Sequence, residues 1–175
     1  GESLQWAAGF CAGISEAFTL KSDVDSVLEA IRGAMAPYVQ EKMDRALEMA
    51  APYDDVFDMR PKFYEVWNRT DGTYPMSMAE EVVNKAFAVF SVANGDPKKS
   101  IIGSVNFGRD TDCLAAISGG LAGALSGSSS IPDEWVETLD SATLQNQYTV
   151  SQRTLKETAE GLYEVARQSL EAGRS

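Results

Sequence analysis

Leu114-Ala115-Ala116-Ile117-Ser118-Gly119-Gly120-Leu121-Ala122-Gly123-Ala124-Leu125 differs from every other stretch of this chain. Its apolar residues run all round a helix, and four of its side chains are Gly or Ser. Glycine weakens an isolated helix by roughly 1 kcal/mol per residue. A helix that accepts this is expected to have neighbours packed close against its backbone, which predicts the buried axis of an all-α domain. Its small residues look like a membrane dimer motif, but a segment of this length is too short to span a bilayer.

Upstream of that helix stands the acidic turn Gly108-Arg109-Asp110-Thr111-Asp112-Cys113. Carboxylates two apart in a regular helix point about 200° away from each other. At a helix start the cap residue is not helical, so both side chains can reach one small volume. Paired carboxylates with a hydroxyl between them are hard oxygen ligands, suited to Mg²⁺ or Mn²⁺ rather than to a soft metal. Asp at an N-cap and in the first turn also serves free N–H groups and the helix dipole, so spacing alone leaves a purely structural role open.

Helical periodicity continues outward in both directions. Leu4, Ala7, Ala8, Cys11, Ile14, Ser15 and Phe18 predict the core face of a first helix. Ser22 is the expected N-cap of a second, with the stripe Val24, Val27, Leu28, Ile31 and Met35 closed by Pro37. Val39, Met43, Ala46, Leu47 and Ala50 form a third, and residues 53–68 a shorter aromatic-rich piece. Residues 69–77 read as a polar loop carrying Tyr74, a candidate for stacking a base. Ser77 and Glu80 suggest a capping box before Ala79, Val82, Val83, Ala86, Phe87 and Phe90. Asp96 with Pro97 opens the next helix. Ile131-Pro132-Asp133-Glu134-Trp135 starts another, and a final helix is expected from about Ser151 to Ala172. No strand pattern of comparable strength appears. The expectation is a compact multi-helix orthogonal bundle, a single all-α domain over 1–175.

Composition narrows the chemistry. The chain has 26 Asp and Glu against 15 Lys and Arg, a net charge of −11. That argues against a nucleic-acid backbone and against anionic membrane surfaces as partners. Histidine is absent, so a Ser-His-Asp triad, a Cys-His pair and a histidine zinc site are all excluded. Cys11 and Cys113 are the only cysteines. They are expected as small buried hydrophobes in a reducing, cytoplasmic setting.

Several spaced elements occur in an order that resembles the ADP-ribosylglycohydrolase family. They are Glu80-Glu81-Val82-Val83, Ala93-Asn94-Gly95-Asp96, Ser104 to Asp112, the Ala/Gly helix, and Ile131-Pro132-Asp133-Glu134-Trp135. The run Trp6 to Phe18 is similar to the family's preceding helix. The resemblance implies a metal-dependent hydrolase of an N- or O-glycosidic bond to ADP-ribose. It makes Asp110 and Asp112 ligands of one or two Mg²⁺ or Mn²⁺ ions, and an ADP-ribose-like ligand or ADP-ribosylated protein the partner.

Thr111 and Asn106 are candidate second contacts. Two positions depart from the family's pattern. Its usual Thr after the second Asp is Cys113 here, and a thiol is a poor Mg²⁺ ligand. Its usual Gly before the first Asp is Arg109, a candidate to meet a substrate phosphate or carboxylate or to pair with Asp112. Members are normally longer. Their first half brings further acidic ligands, the carboxylate of glycosidic cleavage and a glycine-rich diphosphate loop, none of which has an equivalent in 1–175. The chain therefore reads as a carboxyl-terminal half that needs an amino-terminal partner, with no residue singled out as catalytic. The competing expectation is a non-catalytic binding or self-assembling module, a homo-oligomer.

Overall fold

The structure is a computed structural model that describes residues 1–67, 77–148 and 151–173. Tyr74 and most of the expected polar loop lie outside the described residues. Two compact units divide the chain, Gly1–Ser130 and Ile131–Ser175. The first holds α1 (Glu2–Ala17), α2 (Val24–Gly33), α3 (Pro37–Ala50), α4 (Val56–Trp67), α5 (Ala79–Val92), α6 (Pro97–Phe107) and α7 (Thr111–Ser126), ending in a 3₁₀ turn, Ser128–Ser130. The second holds α8 (Asp133–Gln145) and α9 (Leu155–Ala172). The described residues are all-α, with no strand among them and no helix long and apolar enough to cross a membrane.

The buried axis of the first unit is α5, not the Ala/Gly helix. Ten consecutive residues, Glu81 to Phe90, are buried. Val83, Phe87 and Phe90 join one apolar cluster with Trp6, Ile31, Met43 and Leu121. Ala86, Ala88 and Val89 join another with Met59, Phe63, Phe107 and Leu114. A helix with a core on each side is buried all round. By contrast, α7 buries one stripe, Leu114, Ser118, Leu121 and Ala122. Its glycines do bring neighbours close, since a Cβ on Gly119 would stand 2.8 Å from Ile101 Cγ1. Ser104 and Ser118 share a buried hydroxyl bond of 2.7 Å between α6 and α7.

Of the residues expected to mark α1, Ile14 packs against the core and the others are exposed. Leu4 and Phe18 are 70% and 74% exposed, and Cys11 is exposed. The buried row is Trp6, Gly9, Gly13 and Ala17. Glycine decides this, because α2 seats its side chains directly on the α1 backbone. A Cβ on Gly9 would stand 2.9 Å from Met35 Sδ, and one on Gly13 2.6 Å from Ile31 Cγ1. Cys113 is exposed too, so neither cysteine fills a core.

Helix boundaries shift for local reasons. Asp23, not Ser22, caps α2 in a reciprocal box with Ser26, while Ser22 Oγ turns back to the Glu16 carbonyl at 2.7 Å. Pro37 opens α3 rather than closing α2. Met78 precedes α5 without a side-chain cap, and Glu80 pairs with Lys42 at 2.7 Å instead of closing a box with Ser77. In the second unit, α9 starts at Leu155 behind the Thr154–Glu157 capping box, later than expected. No residue of α8 or α9 is buried, and the stripe Leu155, Leu162, Tyr163 and Leu170 is exposed.

Two glycines separate close packing from open helix surface. A Cβ on Gly103 would stand 2.8 Å from Val56 Cγ1 and 3.0 Å from Val56 Cβ, whereas one on Gly123 meets nothing within 4 Å. Gly103→Ala is expected to lower stability by about 1–3 kcal/mol through overpacking. Gly123→Ala is expected to raise it by roughly 0.5–1 kcal/mol through helix propensity. Thermal melts of the two variants check the pair, and equal shifts would contradict the packing described.

Candidate metal centre

The site is built where α6 turns into α7. Gly108 (φ +95°) and Arg109 (φ +62°) both have positive φ, and together they carry the chain from the end of α6 to the N-cap of α7. Glycine is required at 108, since a Cβ there would collide with the Tyr64 hydroxyl. That hydroxyl donates to the Phe107 carbonyl at 2.5 Å, fixing the end of α6. Asp110 is the N-cap of α7, its backbone carbonyl accepting from Leu114 N–H at 3.2 Å. Asp112 and Cys113 follow in the first turn.

One oxygen of Asp110, one of Asp112 and the sulfur of Cys113 lie within 4.8 Å of one another. Asp110 is half-buried and the other two are exposed. A hydrogen bond from the Ser77 hydroxyl holds the Asp110 carboxyl below its usual range, helped by the Cys113 thiol and opposed by partial burial. The same contact pushes the Cys113 thiol up, as do its desolvation and the charges of Asp110 and Asp112. Cys113 is therefore a protonated donor at neutral pH, while Asp110 is ionised. Two adjacent carboxylate donors suit a hard dication. They fit part of a Mg²⁺ or Mn²⁺ shell, which takes about six oxygens.

The remaining expected residues fall into place differently. Thr111 is the first residue of α7. Asn106 sits in the last turn of α6, and its side-chain N–H donates to the Ile102 carbonyl at 2.9 Å. Arg109 reaches into the core. Its Nε donates to Glu81 Oε1 at 2.6 Å and its Nη2 to Glu81 Oε2 at 3.0 Å. Glu81 is 2% exposed and also accepts from Lys85 Nζ at 2.6 Å. Lys85, wholly buried, lies 5.6 Å from the Tyr64 ring centre and 5.5 Å from that of Phe107. The sequence reading missed Ser77, Glu81, Lys85 and Tyr64 as neighbours of the turn. A charge at the head of the run Val82 to Phe90 and an opposite charge four residues on, inside it, were the available signal for Glu81 and Lys85.

A cleft of about 350 Å³ opens elsewhere, lined by Val56, Phe57, Val92, Lys99 and Ile102 among others. It includes none of the acidic-turn residues.

A family model described as ADP-ribosylglycohydrolase matches residues 2–171. No curated protein and no solved structure matches the chain.

Burial pushes the Lys85 ammonium below its usual value of 10.5, against the opposing effect of Glu81. Between the folded and unfolded values the unfolded chain binds more protons, so stability rises with pH there. Wild type is expected to gain stability relative to Lys85→Met as pH climbs from neutral toward 10.5. Urea melts across that range measure the difference, and a flat one would contradict a desolvated ammonium.

Proposed function

The chain belongs to the ADP-ribosylglycohydrolase family, and on that premise we propose that Asp110 and Asp112 contribute a divalent-cation site to the hydrolysis of an N- or O-glycosidic bond to ADP-ribose. The observation that carries this reading is the meeting of both carboxylates at the start of α7. Asp110 and Asp112 would hold a Mg²⁺ or Mn²⁺ ion, which would supply positive charge for orienting a ribose diol and polarising the anomeric centre.

This chain's own groups prepare that place. Asp110, kept ionised by hydrogen bonds, presents negative charge at neutral pH. Cys113 donates toward Asp110 as a neutral thiol and so adds no further anion to the cluster. The half-buried position of Asp110 reduces screening by water. Glycosidic cleavage also needs a positioned carboxylic acid or carboxylate, and that role is assigned to none of the described residues.

A second reading, a binding or self-assembling module without catalysis, is favoured by one observation. The uncharged face of α1 carrying Leu4, Ala8, Cys11 and Phe18 is exposed, and such faces mark interaction surfaces.

Calorimetric titration with Mn²⁺, with and without ADP-ribose, tests the first reading against an Asp110→Ala/Asp112→Ala control. Saturable binding to wild type that is lost in the double variant is the expected result. It would be followed by release of ADP-ribose from a modified protein. Equal heats from both proteins would overturn the cation site and leave the module reading.

A further inference from the structure

We propose that Glu81 is a positioning residue for the cation site, acting through a two-pronged ion pair that clamps Arg109 and so sets where Asp110 and Asp112 stand. The inference rests on the reading of those two aspartates as cation ligands.

Arg109 is covalently next to Asp110, and its backbone is held in the left-handed region where side-chain-bearing residues rarely stay. Such a residue persists only when its surroundings over-determine it. Here both carboxylate oxygens of Glu81 take the guanidinium, through Nε at 2.6 Å and Nη2 at 3.0 Å. A planar fork on a carboxylate fixes orientation as well as distance. The anchor itself lies in the interior, where Glu81 begins the buried run of α5. On the other side of the turn, Tyr64 holds the Phe107 carbonyl. The Gly108–Arg109 turn is thus gripped from α4 and from α5, and the aspartates follow it directly.

Glu81 has a second cationic partner besides Arg109. Lys85, wholly buried, already neutralises Glu81 at 2.6 Å. Arg109 is a second cation on a carboxylate already paired, and what its fork adds is a fixed place for the residue before Asp110.

The test compares Mn²⁺ dissociation constants of the whole protein by calorimetry, with a melting temperature for each variant. Arg109→Lys keeps the charge and removes the planar fork. Glu81→Gln/Lys85→Met removes the anchor without leaving a buried ammonium on α5. Gly103→Ala is the control, being destabilised where α6 packs on Val56 of α4 and not at Glu81 or Arg109. Arg109→Lys and Glu81→Gln/Lys85→Met are expected to bind Mn²⁺ roughly 10- to 100-fold more weakly, as losses behind metal ligands do. Gly103→Ala is expected to bind as wild type does, whatever its melting temperature. Folded Arg109→Lys that binds within about twofold of wild type would overturn the clamp and leave the cation site standing. Weakening by Gly103→Ala to the same degree would overturn it as well, by making affinity a mere reflection of stability. Wild type that binds no Mn²⁺ would overturn the cation site and the clamp together.

Discussion

The Glu81 carboxylate, buried on α5 between Lys85 and Arg109, is the interaction on which both core and site depend. A wholly buried ammonium is costly unless it is paired and hydrogen-bonded. Glu81 supplies that pairing at 2.6 Å, and so lets α5 run through the middle of the first unit with apolar clusters on both sides. The same carboxylate reaches Arg109, the residue before the first aspartate of the acidic turn. Interior electrostatics and the geometry of the candidate site are therefore one problem with one solution. The aromatic rings of Tyr64 and Phe107 beside Lys85 add favourable cation–π contact where water is excluded.

Much of this arrangement is legible in the sequence, and the failures share a cause. Asp96 with Pro97, the stripes of α2 and α3, and the opening of α7 at Asp110 all follow from local chemistry, and local chemistry decided them. The face of α1 does not follow. Apolar periodicity picks out Leu4, Ala7, Cys11 and Phe18, but the α2 side chains choose the glycine row because it allows the closest approach. Likewise the small residues of α7 promise close neighbours, which they have, and suggest complete burial, which belongs to α5. Which helix lies at the centre depends on partners far away in sequence.

The candidate site divides along the same line. Asp110 and Asp112 are near neighbours in sequence, and a helix start brings them together. Ser77, Tyr64 and Glu81 reach the turn from α4 and from the start of α5, at separations no spacing rule covers. Their contributions differ in kind. Ser77 tunes the charge of Asp110, Tyr64 fixes the end of α6, and Glu81 holds Arg109. Cys113, which as a ligand would favour a softer metal, is turned into a hydrogen-bond donor by the aspartates beside it. Membership in the ADP-ribosylglycohydrolase family is the premise on which the proposed cation site rests.

The most direct measurement is an anomalous difference map, collected at the manganese edge, from crystals of the protein soaked in Mn²⁺. The account predicts one or two peaks between the Asp110 and Asp112 carboxylates, with the Cys113 sulfur outside the coordination shell and Arg109 still forked on Glu81. No peak there, a shell that includes the sulfur, or an Arg109 guanidinium swung from Glu81 onto the aspartates would contradict it.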